Sequence, residues 1–339
     1  MATPTAGPET LGALSDEAKL DDPNSTKAKE ISGKSPMQIA LGRLRKDKIA
    51  VVCACIALFF ILVAIFAGVI AKVFGVSLET QFAIDVLDPL SQLPKKGPPN
   101  HGFDPEHPFG VAPKTGDDNL AHWVYGCRTS LVIAGSATLF AVLFGLFMGL
   151  TAGFLGGKVD KVISFITDFF LTVPFLLAAL TLAPIINQRF STSEHYFTIQ
   201  RFVLIGVLAI FGWMGIARII RGEVLSLRER EFVQAARVLG MPTSRIMIKE
   251  LLPNLAAPLI IASSLLLPGF VAAEAGLAYL GIGVTSGASW GQTIDKATRY
   301  FDNYPLYLYE PMIGIVLLVL SLNLLGDAIR DALDPKTRR

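Results

Sequence analysis

Apolar residues run almost unbroken over 49–74 and 129–154, and then over 162–186, 202–220, about 255–284 and about 311–325. At 1.5 Å of rise per residue the first run is long enough to cross a hydrocarbon core of roughly 30 Å. The runs are apolar at every helical phase rather than on one face, so each is read as a transmembrane helix. A helical bundle that satisfies its own backbone hydrogen bonds is then the expected architecture: an all-α integral membrane protein of six transmembrane helices. The period-two alternation of a membrane β-barrel is absent.

Small residues refine this picture in the second run, where Gly135, Gly145, Gly149 and Gly153 recur at helical spacing and predict close contact with a neighbouring helix. Pro174, Pro258 and Pro268 are expected to kink their helices. Between the runs, polar character sets orientation. Arg43, Arg45, Lys46 and Lys48 precede the first span, and residues 218–249 carry seven Lys or Arg against Glu223, Glu229 and Glu231. Excess Lys and Arg marks the cytoplasmic side, so both termini are expected in the cytoplasm. Residues 75–128, with seven acidic and four basic residues, are expected as an external loop. Residues 1–47 have too little apolar surface to offset ordering entropy and are expected as a disordered cytoplasmic tail. The transmembrane domain then covers 48–335, with a cytoplasmic loop over 221–253 and a short tail at 336–339.

Composition agrees with membrane residence: 52% of the 339 residues are hydrophobic and 17% charged, with a mean hydropathy of +0.52. A net charge of +2, with basic residues clustered between spans, argues for a membrane orientation signal and against nucleic acid. Cys53, Cys55 and Cys127 have neither metal-ligand nor disulfide spacing and are expected in packing roles. His107, His122 and His195 show no ligand spacing either, so no metal site and no cofactor is expected. No nucleophile–base pair at matched depth suggests an enzyme, and no Gly-x-x-x-x-Gly-Lys-Ser/Thr phosphate loop occurs.

Residues 231–254 read EFVQAARVLGMPTSRIMIKELLPN. Phe232, Ala235, Ala236 and Leu239 fall at helical spacing on one face, predicting a short amphipathic helix. Gly240 is placed to end it as a left-handed cap, Met241 and Pro242 turn the chain, and Thr243 or Ser244 is expected to cap a second helix that stops near Pro253. Small alanine side chains would let another protein's backbone approach, with Phe232 and Leu239 filling a pocket.

This segment resembles the coupling loop of the membrane permease subunits of ABC importers, in particular the C-type subunit of the dipeptide and oligopeptide group. That family's pattern is Glu-Ala-Ala, three residues, Gly, then about a dozen residues to Leu-Pro; here it stands as Gln234-Ala235-Ala236, Gly240 and Leu252-Pro253, with Gln234 for the usual Glu. The resemblance extends to WMGIARIIRGEVLSLRERE before the loop, to EAGLAYLGIG with Ser289-Trp290-Gly291 after it, and to NLLGDAIRDALDP near the C-terminus. His107-Pro108-Phe109-Gly110 and Tyr125 to Leu131 match the flanks of the external loop, although VAPKTGDDNLAHWV replaces the family's Gly-Thr-Asp and Gly-Arg-Asp elements.

The resemblance implies a type I permease fold in a bacterial plasma (inner) membrane. It implies a second homologous permease, two cytoplasmic ATPase subunits and an external substrate-binding protein as partners, with di- or oligopeptides as substrates. Phe232, Gln234, Ala235, Ala236, Leu239, Gly240, Leu252 and Pro253 become candidates for ATPase coupling. Nickel chelates and glutathione are carried by similar permeases and stand as alternatives. An ion-coupled secondary transporter is a more distant one, needing acids and broken helices near the midplane. Asp168 and Glu274, acids within or near spans, must face the bundle interior or water and are candidates for lining the pathway; for Glu274 a structural hydrogen bond between helices is an equal reading.

Overall fold

The computed structural model describes residues 36–79, 83–98, 102–284 and 287–333. The tails expected at 1–47 and 336–339 therefore lie outside the described residues, except for 36–47. These residues open helix α1 (Pro36–Leu44) and lead to Asp47, whose side chain accepts from the backbone N–H groups of Ile49 and Ala50 and caps α2 (Lys48–Ile65). The first apolar run is thus two helices, α2 and α3 (Ala67–Phe74), meeting at Phe66. A four-residue turn, α4 (Ala83–Val86), follows in the connecting segment.

Helix α5 (Asn119–Leu155) begins ten residues before the run that announced it. Asp118 starts it, its carboxylate accepting from the Ala121 N–H at 2.8 Å, and the polar residues 117–119 are buried, which is why composition alone assigned them to a loop. The third run is likewise not one straight span. It is α6 (Gly157–Thr172) and α7 (Phe175–Arg189), bent by 86°. Pro174 has no N–H to donate and pushes Val173 out of the helical region, to φ −77° and ψ 121°. Pro174 therefore breaks the helix, a larger effect than the expected kink. Pro258, by contrast, lies in the first turn of its helix, where a missing N–H leaves no bond unmade.

Helix α8 (Tyr196–Leu227) packs against α5 more extensively than any other pair of helices in the described residues. The seam is made by glycine. A β-carbon on Gly145 would stand 2.7 Å from Ile216 Cβ, one on Gly149 2.9 Å from Ile220 Cβ, and one on Gly153 2.8 Å from Val224 Cβ. The three glycines expected at a helix contact make one, whereas Gly135 faces open space. Residue numbers rise together along both helices, so α5 and α8 run parallel. The chain must therefore return the length of the bundle between Leu155 and Tyr196, and α6 with α7 makes that return. Among the described residues five helices are long and apolar enough to span, and the bent pair, counted as one span, makes six.

After α8 come α9 (Glu231–Val238), α10 (Thr243–Arg245), a π-helical turn over Ile246–Leu251, α11 (Leu252–Asn254), α12 (Ala256–Tyr279), α13 (Trp290–Thr298) and α14 (Pro305–Leu333). Helix α12 packs on α5, α8 and α14, and α14 packs on α2 and α1. Arg43 Nη1 donates to the Ala332 carbonyl at 3.4 Å, bringing the first and last described helices to the same end. Cys53 and Cys127 pack in the interior as expected, but Cys55 is exposed on the outer face of α2.

The seam predicts opposite signs for one substitution at two glycines. Gly149→Ala should lower stability by about 1–3 kcal/mol through overpacking, while Gly135→Ala should leave it unchanged or raise it by about 0.5–1 kcal/mol. Thermal unfolding of the detergent-solubilised protein checks both.

Candidate functional site: a coupling surface and two polar clusters

Helix α9 leaves the end of α8 after Arg230, and its inner face is set by two residues. Val233 and Ala236 are buried and join Val224, Ile246, Leu251 and Leu255 in one apolar cluster. Ala236 is 6% exposed, so it does not share an outward face with Phe232, Ala235 and Leu239 as its spacing suggested. The outward apolar face is Phe232, Ala235, Val238 and Leu239, with Val238 87% and Leu239 83% exposed. Hydrophobic spacing located the helix, but which apolar face turned inward depended on the cluster beneath it.

Gly240 ends α9 as expected. It adopts φ +74°, its N–H donates to the Arg237 carbonyl, and the Met241 N–H donates to the Ala236 carbonyl, both at 3.0 Å. This is a Schellman end, and only glycine takes its left-handed residue without strain. The segment beyond differs from expectation. Neither Thr243 nor Ser244 caps a helix; Pro242 occupies that place, with no side-chain bond. The second helix does not stop at Pro253 either, because the π-turn and α11 lead through buried Leu255 into α12. Leu252 is half-buried, Pro253 is exposed, and Gln234 is exposed with its amide 3.5 Å from the Glu229 carbonyl.

Arginines anchor this surface to the bundle. Arg228 Nη1 donates to the Gly153 carbonyl at 3.2 Å, and the Arg237 guanidinium lies 5.0 Å from the centre of the Phe154 ring. One step deeper, Arg221 grips Asp160 of α6 with two parallel bonds, at 2.5 and 2.8 Å. Arg218 Nη2 donates to Asp168 Oδ1 at 2.6 Å. The first pair is half-buried. The second has side chains 61% and 64% exposed. Asp168, Arg218 and Arg221 line a cavity of about 400 Å³ with Ser164 and Thr167. The arginines of α8, read from sequence chiefly as charges that set topology, thus tie α6 to α8.

Glu274 lies in a different place. It is fully buried on α12, with one carboxylate oxygen accepting from Ser130 Oγ at 2.6 Å and the other from Ser289 Oγ at 2.9 Å. Asp168 and Glu274 therefore do not share a site. Beside Glu274, Trp290 of α13 packs against Gly126, where a β-carbon would stand 2.8 Å from the indole Cδ1. Its indole N–H donates to the Trp123 carbonyl at 2.8 Å, and that of Trp123 donates to the Glu310 carbonyl at 3.0 Å. Phe60 and Phe109 complete the aromatic group. Ser130, Ser289 and Trp123 stand within motifs quoted above but were given no site role from sequence; a buried acid's need for hydroxyl donors was the available signal.

Residues 141–339 match the family described as "Binding-protein-dependent transport system inner membrane component", and residues 35–87 match "N-terminal TM domain of oligopeptide transport permease C". The chain is 32% identical over 319 residues to the oligopeptide transport system permease protein OppC of Bacillus subtilis, covering 93% of this chain and 95% of that protein. It is 33% identical over 319 residues to the dipeptide transport system permease protein DppC of Alkalihalophilus pseudofirmus, covering 94% and 96%. A solved inward-facing structure of the MetNI methionine ABC transporter aligns with a TM-score of 0.48 at 20% identity, over 62% of this chain and 94% of that one.

Ser130→Ala should lower stability by about 1–3 kcal/mol, since it leaves a buried carboxylate oxygen without its donor. In a Glu274→Ala background the same change should cost far less. A double-mutant cycle read by thermal unfolding measures the difference.

Proposed function

The chain belongs to the binding-protein-dependent transport system inner membrane components, and from that membership we propose that it forms half of a translocation pathway for di- or oligopeptides. It is a multi-pass permease subunit of an ABC importer, a family whose permeases work with ATPase subunits and a partner permease. The names of its relatives support peptides as the substrate class, and the description of its family supports an external binding protein as the source of substrate.

The exposed apolar face of α9 carries the proposal for coupling. An amphipathic helix that shows Phe232, Ala235, Val238 and Leu239 to the outside, is held to α5 by Arg237 over Phe154, and leaves an α8 end that Arg228 ties to α5, suits insertion into a groove on another protein. In this reading the groove belongs to a cytoplasmic ATPase subunit. Gly240 ends the inserted helix, Gln234 lies at its exposed edge, and Leu252 and Pro253 begin the path to α12. Ala236 acts from below, its small side chain letting α9 lie close to the bundle. Nucleotide-driven motion of the ATPase subunits would reach α8 and α12 through these two joints.

Asp168 lines the pathway in this reading. An ion pair exposed over more than half of both side chains, within helices of a membrane bundle, is costly against lipid and favourable against water or protein. Glu274 holds helices together instead, since both its oxygens are taken and none of it is exposed. The basic residues around α9 and before α2 support a cytoplasmic location for that end of the bundle, and with it for both ends of the permease domain.

Ala235→Arg places bulk and charge on the outward face of α9 without entering the core. It should abolish co-purification of the ATPase subunits, or leave their ATP hydrolysis unresponsive to substrate, with the unfolding temperature of the chain unchanged. Retained ATPase subunits and normal ATP-driven uptake would sink the coupling assignment. Transport by the chain alone, without ATP, would favour an ion-coupled carrier instead.

A further inference from the structure

Near α9, Arg218, Arg221, Arg228 and Arg237 are engaged, whereas two arginines at the opposite end of the bundle form no ion pair among the described residues. These two, Arg128 of α5 and Arg201 of α8, line one cavity of about 380 Å³. The parallel course of α5 and α8 sets the two at nearly the same level, so their guanidinium groups serve one space. The rest of the lining is neutral: it includes the hydroxyl residues Tyr125 and Thr129, with Gly287 and Ala288 from the connection between α12 and α13. Gly287 closes one side, since a β-carbon there would lie 3.9 Å from Arg201 Nη2. Both arginines are exposed, and two cations without a counter-charge at the mouth of an open recess of this size can receive a small oxyanion.

We propose that this recess is a carboxylate site, in which Arg128 and Arg201 receive the C-terminal carboxylate of an entering peptide. The site rests on the peptide-permease reading above. It places recognition of one end of the substrate at the outer end of the bundle, ahead of the charged cavity around Asp168. Lipid phosphate shares the oxyanion chemistry, and the test below distinguishes the two sources.

The test uses the complete complex with partner permease, ATPase subunits and external binding protein in proteoliposomes, and trialanine and trialanine amide as probes. Arg128→Gln and Arg201→Gln should each raise the concentration for half-maximal trialanine uptake about tenfold, the effect of one lost charge-assisted hydrogen bond. Lysine at either position should recover part of the loss, and uptake of the amide should be unaffected. A second measurement needs no variant. In the wild-type complex without binding protein, trialanine but not its amide should slow phenylglyoxal modification of Arg128 and Arg201, located by mass spectrometry. Equal protection by both peptides, or by neither, overturns the site. So does a loss that appears only with anionic lipid, which assigns the recess to a headgroup. A wild-type complex that takes up neither peptide overturns the peptide reading and the site together, and is distinguished from the other failures because it appears before any substitution is made.

Discussion

The contact between α5 and α8 governs the rest of the molecule. Inside a bilayer no hydrophobic gain drives helices together, so association depends on how closely their backbones approach. Gly145, Gly149 and Gly153 remove the side chains that would hold α5 away from Ile216, Ile220 and Val224. Because those contacts fall in step, two long helices are locked side by side and point the same way. That single fact obliges α6 and α7 to carry the chain back, brings Arg218 and Arg221 within reach of α6, and sends α9 off the end of α8 across the foot of α5.

Polar groups then fix what the seam leaves free. At one end Arg221–Asp160, Arg228 with the Gly153 carbonyl, and Arg237 over Phe154 bind the loop region to the bundle. Toward the other end Glu274 draws Ser130 and Ser289 together, and Trp290 and Trp123 pass hydrogen bonds from α13 through α5 to α14. Each of these groups would be expensive to bury alone. Paired, they connect helices that lie far apart in sequence.

Much of the fold is legible in the sequence because apolar runs in a membrane protein answer to one requirement, the thickness of the hydrocarbon. The spans, the glycine contact and the Gly240 cap follow from local rules. What escapes is what depends on neighbours. Residues 117–119 look like loop because they are polar, yet they are buried and start α5. The run over 162–186 is apolar on either side of Pro174 apart from Asp168 and a few hydroxyl residues, and only the backbone geometry forced by Pro174 divides it. Ala236 and Ala235 are identical side chains one residue apart, and only the cluster of Val224, Ile246 and Leu251 determines which faces inward. The roles of Arg218 and Arg221 were hidden for the same reason: their acids lie fifty and sixty-one residues away.

The π-helical turn at Ile246–Leu251 gives the joint between α9 and α12 a property of gearing. A π-turn holds roughly one residue more than an α-helix of the same length, so it resets the angular phase of everything beyond it. One residue of α-helix corresponds to about 100° of rotation. Leu251, at the end of the π-turn, and Leu255, four residues on, are both fully buried. The number of residues between Pro242 and Leu255 therefore acts as an angular setting between the surface of α9 and the core face of α12. A length change of one there would turn one against the other and disturb the packing of Ile246 and Leu251 beneath α9.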